Sequence, residues 1–319
     1  MKNLGIAVIG VGHMGRFHCQ KVAALHEAGE AVDLVGVVDV DRERGEEVAR
    51  ECKSSYFAKP EEIFGLADAV IVAVPTVYHH GVVGDALRAG LDVLVEKPIA
   101  STLEEGEELV ELADREGRVL QVGHLERFNP AMLMMKKRIH RPRFIEVHRM
   151  GPYPGRATDV DVVRDLMIHD IEIIQDLIGE EPCKIDAVGV PVLSATHDIA
   201  SVRLHFPGGC VANLTASRVT PTPMRKLRIF QGDGYFSIDF NEQSGVILRR
   251  LTDLGDPEPR IDIEKIELDR EDALLAEVKA FVEVVRDRDR PMVSGKEALG
   301  ALRTAMRVIE VMPSIDELK

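Results

Sequence analysis

The chain has 319 residues and carries 40 Lys and Arg against 54 Asp and Glu, a formal net charge of −14. An acidic chain of this kind is ill suited to neutralising nucleic-acid phosphates. Hydrophobic residues make up 45% and charged residues 29%, the balance of a globular protein long enough for two domains, and its apolar runs fall far short of the roughly 20 residues that cross a bilayer.

The sequence opens on Met1-Lys2-Asn3-Leu4 without a signal-peptide pattern, so a cytoplasmic protein is expected. Residues 4–9 form an apolar strand ending at glycine, and 14–28 follow as a helix. Residues 32–39 are apolar and β-branched, and 42–52 are helical. A continuous apolar strand over 69–74 closes at Pro75, and a helix over 78–89 closes at Gly90. Strand 93–95, helix 103–116 and strand 119–122 complete the series. Apolar strands alternating with helices of this length predict an α/β domain with a doubly wound parallel sheet.

Beyond Gly123 the pattern changes. Helices over 129–139 and 163–177 precede strands over 201–206 and 210–217, which flank the hairpin signal Pro207-Gly208-Gly209. Strands over 226–231 and 235–240 flank Gly232-Asp233-Gly234, and 245–250 follows another turn. Helices over 271–286 and 296–311 close the chain. These elements predict a C-terminal α+β domain with an open, mainly antiparallel sheet. The boundary is placed at 122, giving a nucleotide-binding domain over 1–122 and a substrate-binding and oligomerisation domain over 123–319. One face of the open sheet needs cover, and a second copy of the chain is the expected partner, making a homo-oligomer. Cys19, Cys52, Cys183 and Cys210 contain no CxxC pair, which points to reduced thiols in a cytoplasm. His13, His18 and His26 have helical spacing but no accompanying carboxylate set, so no metal is expected. The basic cluster over 136–143 reads as a solvated helix end and loop.

Three constellations carry chemistry. Gly10-Val11-Gly12-His13-Met14-Gly15 is GxGxxG between the first strand and the first helix, the turn of a Rossmann dinucleotide site. Its first glycine permits the tight turn, the second lets backbone approach a pyrophosphate, and the third lets helix and strand pack closely. Asp39 ends the second strand, where a carboxylate accepts ribose hydroxyls and repels a 2′-phosphate. No arginine immediately follows it, which favours NAD over NADP. Lys97, in Glu96-Lys97-Pro98, ends a parallel strand at the edge where such sheets bind ligands. Asp165 and His169 stand at i and i+4 among apolar neighbours, so the carboxylate can orient the imidazole for proton transfer. Arg127, Arg156 and Arg164 are candidate partners for a sugar diphosphate, because the guanidinium fork binds phosphate bidentately.

Together these pieces resemble the Gfo/Idh/MocA oxidoreductase family along the whole chain. The likeness includes the glycine turn, Val74-Pro75-Thr76 with His79-His80, Val95-Glu96-Lys97-Pro98-Ile99, Gly123-His124-Leu125-Glu126-Arg127-Phe128-Asn129-Pro130, and the Asp165/His169 pair. The resemblance implies that Lys97, Asp165 and His169 are the catalytic set. It also implies that Pro75, Thr76, His79 and Glu96 line the nicotinamide end, and Asn129 lies within its shared segment among the substrate candidates. Many family members carry asparagine two residues after that proline, where this chain has Val77. Where the family often has Gly-Gly-Gly before the aspartate, this chain has Asp161-Val162-Val163-Arg164. That variant resembles the branch acting on the 3-hydroxyl of UDP-N-acetylglucosamine.

The resemblance therefore implies an NAD-dependent dehydrogenase oxidising a secondary hydroxyl of a sugar or nucleotide-sugar. Either His169 or Lys97 serves as the primary base. An uncharged polyol such as inositol, or an aldose, is the alternative substrate. A catalytically silent NAD-binding regulator is the rival from another class, though such a protein need not keep all three catalytic candidates.

Overall fold

Among the described residues, six strands pair in parallel in the order β3-β2-β1-β4-β5-β6. They are β1 (Leu4–Ile9), β2 (Val32–Val38), β3 (Tyr56–Phe57), β4 (Ala69–Val72), β5 (Asp92–Glu96) and β6 (Leu120–Gly123). The structure, a computed structural model, describes residues 3–153, 155, 160–268 and 270–315. Strands such as Ala-Val-Ile-Val of β4 are buried along their whole length, as a parallel sheet covered on both faces requires. Helices α1 (His13–Glu27) and α2 (Arg42–Glu51) share one core with Ile6, Val8, Val37, Ile71 and Leu94. Helices α3 (His79–Arg88) and α4 (Leu103–Glu116) pack on each other, and α3 also packs on β4 and β5. The doubly wound parallel sheet expected from the sequence is present.

The chain divides into two units, Met1–Leu125 with Asp272–Leu299, and Glu126–Glu271 with Gly300–Lys319. This departs from the assignment of all of 123–319 to the second domain. The helix expected over 271–286 lies at Ala273–Asp287, and its Val278, Phe281, Val282 and Val285 complete the core against Cys19, Val22 and Leu25 of α1. An amphipathic pattern advertises an apolar face without stating which core receives it.

The second unit is built on eight strands in the order β14-β13-β12-β11-β7-β10-β9-β8. These are β7 (Pro142–Met150), β8 (Lys184–Val190), β9 (Ile199–His205), β10 (Val211–Ser217), β11 (Met224–Gln231), β12 (Gly234–Asp239), β13 (Ser244–Arg250) and β14 (Ile261–Glu267). All neighbours are antiparallel except β7 and β10. Helices α5 (Pro130–Lys136) and α6 (Ile168–Ile178) contact β12 and β7. The opposite face carries a continuous cross-strand row, Ile263, Leu248, Tyr235, Phe230, Phe144 and Val211. Its rings meet at a tilt, with centroid distances of 5.6 Å for Phe144–Phe230 and 5.0 Å for Phe230–Tyr235. No helix among the described residues is long and apolar enough to cross a membrane.

Candidate active site

Every candidate residue of the first unit sits at the carboxyl end of a parallel strand, the edge at which open α/β sheets bind ligands. After β1 the chain turns at Gly10, whose φ is +82°. A Cβ there would come within 2.9 Å of the Val74 nitrogen, and one on Gly15 within 1.8 Å of the Gly10 carbonyl oxygen. At Gly12 it would meet nothing within 4 Å. The first and third glycines thus let the chain pack on itself, and the second leaves its backbone approachable. Helix α1 starts there with no side-chain cap and no acid in its first turn, so its N–H groups and positive dipole end suit phosphates. A cavity of about 700 Å³ lies beside the turn, lined by Gly12, His13, Arg16 and Arg44 together with the acids Asp41, Glu43 and Glu47, of which Glu47 pairs with Arg16. His13 is exposed and stacks edge-on against Phe17, and Met14 is half-buried. These features fit the pyrophosphate of NAD.

Asp39 follows β2 and is buried. Its Oδ2 accepts the Val11 N–H at 2.8 Å and its Oδ1 the Asp41 N–H at 2.8 Å. Arg44 completes the set, donating from Nε at 3.2 Å and from Nη2 at 2.7 Å. Burial would push this carboxyl up, but Arg44 and the two backbone donors more than offset it and hold the group below its ordinary value. No arginine immediately follows Asp39 in the sequence, and Arg44 was not expected to reach it. The available signal was Asp41, which caps α2 by accepting the Arg44 N–H at 3.1 Å and so turns Arg44 back toward the strand end.

After β4, Pro75 is exposed and Thr76 half-buried at the start of a 3₁₀ turn. His79 behaves differently from the expectation that it lines the nicotinamide end. It is 1% exposed, with Nδ1 at 2.8 Å from the Pro98 carbonyl and Nε2 at 2.9 Å from that of Val74. Burial lowers its pKa against the pull of those carbonyls, and the neutral ring so favoured donates to one of the two, anchoring the ring within the fold. After β5, Glu96 pairs with His18 of α1 at 2.8 Å. Burial alone would raise the Glu96 carboxyl, yet the His18 bond and the charges of His18 and Lys97 hold it below its usual range. His18 was singled out only for its helical spacing, and its partner lies 78 residues away. Lys97 is half-buried, and its bond to Pro98 is cis.

In the second unit, the expected helix over 163–177 begins as a π-helical turn, Val163–Met167, before α6. Asp165 stands in that wider turn and His169 in the first turn of α6; both are half-buried. Single π turns recur at functional sites. Asp161 caps the turn, accepting the N–H groups of Val163 and Arg164 at 3.0 Å each. Its other oxygen accepts Arg164 Nε at 2.6 Å, so Arg164 is partly engaged while its side chain stays 36% exposed.

Two substrate candidates are used internally instead. Arg127 is 2% exposed and pairs with Glu172, and with Asp176 at 2.9 Å. A guanidinium locked between two acids is a core element, not a phosphate clamp. Asn129 caps α5 by accepting the Ala131 N–H at 3.1 Å and donates to the Phe240 carbonyl at 3.3 Å. Both of its polar ends are spent on the fold. Arg156 lies outside the described residues. Sequence reasoning missed Arg149, which is 4% exposed and grips Asp170, the neighbour of His169, through two 2.8 Å bonds. It also donates to Glu126 at 2.9 Å.

A 3-2-1-4-5-6 parallel sheet with this glycine turn and an acid ending the second strand is the arrangement of a dinucleotide-binding domain, with Lys97 at the end of its fifth strand. Residues 4–124 match the model of the oxidoreductase family with an NAD-binding Rossmann fold, and 133–237 that of the GFO/IDH/MocA C-terminal domain. The chain belongs to the Gfo/Idh/MocA family and is an NAD-dependent oxidoreductase. It is 37% identical to UDP-N-acetylglucosamine 3-dehydrogenase of Acidithiobacillus ferrooxidans, over 94% of this chain and 96% of that one. A solved structure of UDP-N-acetylglucosamine 3-dehydrogenase GnnA from that organism superposes with a TM-score of 0.91 at 34% identity, covering 99% of each chain. The scyllo-inositol 2-dehydrogenase (NAD(+)) of Bacillus subtilis is 29% identical over 67% of each chain.

Proposed function

We propose that this chain oxidises the 3-hydroxyl of UDP-N-acetylglucosamine to a ketone, with Lys97, Asp165 and His169 as its acid–base set. The observation that carries the reading is the 37% identity over 94% of the chain to an enzyme of that name. Bound NAD supplies the hydride acceptor. The protein must remove the hydroxyl proton as the hydride leaves. His169 takes that proton, oriented by Asp165, and Lys97 stabilises negative charge on the substrate oxygen, or the two exchange roles. Arg164, half-exposed and with guanidinium N–H groups beyond the Nε given to Asp161, is the described candidate for the diphosphate, and Arg156 remains its companion. The test is growth of reduced-nicotinamide absorbance with NAD and a sugar panel. Turnover is expected with UDP-N-acetylglucosamine and not with free N-acetylglucosamine or inositol. Equal rates on the free and nucleotide-linked sugars would overturn the substrate assignment.

We infer that the open face of the eight-stranded sheet meets a second copy of the chain. Its apolar row leaves Ile263 54% and Phe230 37% exposed. The adjacent row carries charges of both signs, with Lys265, Arg228, Glu146, Arg203 and Asp186 among its members, which suits a self-complementary contact. Phe230→Glu should convert an oligomer into a monomer in sedimentation analysis; a monomeric wild type would end this reading. Four free thiols, three of them buried, support a cytoplasmic location, and recovery of the chain from an extracytoplasmic fraction would contradict it.

A further inference from the structure

Asp39 occupies the position at which a dinucleotide pocket distinguishes a ribose 2′-hydroxyl from a 2′-phosphate. In this chain its carboxylate is already saturated from within. An ionised carboxylate offers about four acceptor positions. The Val11 and Asp41 N–H groups take two, and Arg44 Nε and Nη2 take the others. The backbone donors are fixed by the glycine turn and the start of α2. Arg44 is not fixed in that way: its side chain is 44% exposed while that of Asp39 is 3% exposed. Its next nearest acid, Asp41, lies 3.6 Å from Nη1. Arg44 also lines the cavity beside Gly12. A ribose hydroxyl donating to Asp39 must therefore displace the guanidinium from at least one oxygen. A 2′-phosphate, by contrast, meets a planar cation with N–H groups to spare.

We propose that Arg44 is a specificity-determining residue for the cofactor, competing with the adenosine ribose for Asp39 and offering a partner to a 2′-phosphate. The pocket then tolerates NADP beside NAD, where a bare Asp39 would exclude it. This rests on the reading that the glycine turn and Asp39 hold the adenosine half of NAD. Because Arg44 holds the Asp39 carboxyl ionised, the competition is between a cation and a neutral hydroxyl. The arginine end of the pair is partly exposed, which keeps the competition modest although Asp39 is buried.

The test is calorimetric titration of the full chain with NAD and with NADP, for the wild type, Arg44→Ala, Arg44→Lys and Asp39→Ser. Arg44→Ala should tighten NAD about two- to fivefold, the worth of releasing a partly exposed pair. It should weaken NADP about tenfold or more, through loss of a charge-assisted bond and exposure of the carboxylate. Arg44→Lys, which keeps the charge without the fork, should fall between. A residue that merely stabilised the start of α2 would move both affinities in the same direction. Parallel weakening of the two nucleotides, or no change in either, would overturn the proposal while Asp39→Ser still shifted the NAD to NADP ratio. If Asp39→Ser also left both affinities untouched, the adenosine assignment itself would fall.

Discussion

Replacing Lys97 with Ala or His169 with Asn should slow single-turnover hydride transfer about 10²–10⁴-fold, the usual contribution of a positioned acid–base group. NAD affinity should be nearly unchanged, because the proposed holders of the adenosine half are the glycine turn and Asp39, which neither substitution touches. Asp165→Asn should cost less, since it preserves shape and removes only the charge that orients the imidazole. The double variant at Lys97 and His169 should lose less than the product of the single losses, because groups that serve one proton are not additive. Wild-type transfer by His169→Asn would leave the helical Asp165/His169 pair with a structural role only.

A second large effect is expected in the second unit. Arg149→Ala should lower stability by about 3–5 kcal/mol, the cost of leaving buried charges uncompensated. The arginine is 4% exposed and Asp170 is 3% exposed, joined by two bonds of 2.8 Å, with Glu126 held by a third at 2.9 Å. Burial pushes the Asp170 carboxyl up against the pull of Arg149, so removing the cation should shift Asp170 further toward its protonated form. Stability lost in Arg149→Ala should accordingly be partly regained as pH falls and Asp170 takes up a proton. Arg149→Lys should sit between, since a point charge cannot reproduce the fork. Arg149→Met with Asp170→Leu should recover much of the loss, as apolar replacements of a buried pair often do. Urea midpoints measure all of this, and a cost near that of an exposed pair, below about 1 kcal/mol, would contradict the role given to the network.

The parallel sheet and its glycine turn were legible because their signals are local: apolar runs, glycines at fixed offsets, and an acid or lysine at a strand end. The central strand β7 escaped notice because Arg149 occupies an inward position after Ile145 and Val147 and breaks the alternation. Edge strands β8 and β14 escaped because most of their residues are exposed, which weakens the alternation that marks a half-buried strand. Arg127 and Asn129 looked available for a substrate because their partners, Glu172 and Phe240, lie 45 and 111 residues away. The π turn at Val163–Met167 has no composition that separates it from an α-helix. Arg44 was the recoverable miss, since Asp41 is an ordinary N-cap and fixes where the third helical residue must lie.

The most direct measurement of the central claim uses UDP-N-acetylglucosamine deuterated at sugar C3. Mixed with NAD and this protein, it should yield a reduced cofactor carrying the deuterium, with a 3-keto sugar nucleotide beside it. Substrate deuterated only at C4 should yield reduced cofactor without label. Label arriving from C4, or no reduced cofactor from either substrate, would contradict the oxidation of the 3-hydroxyl by this chain.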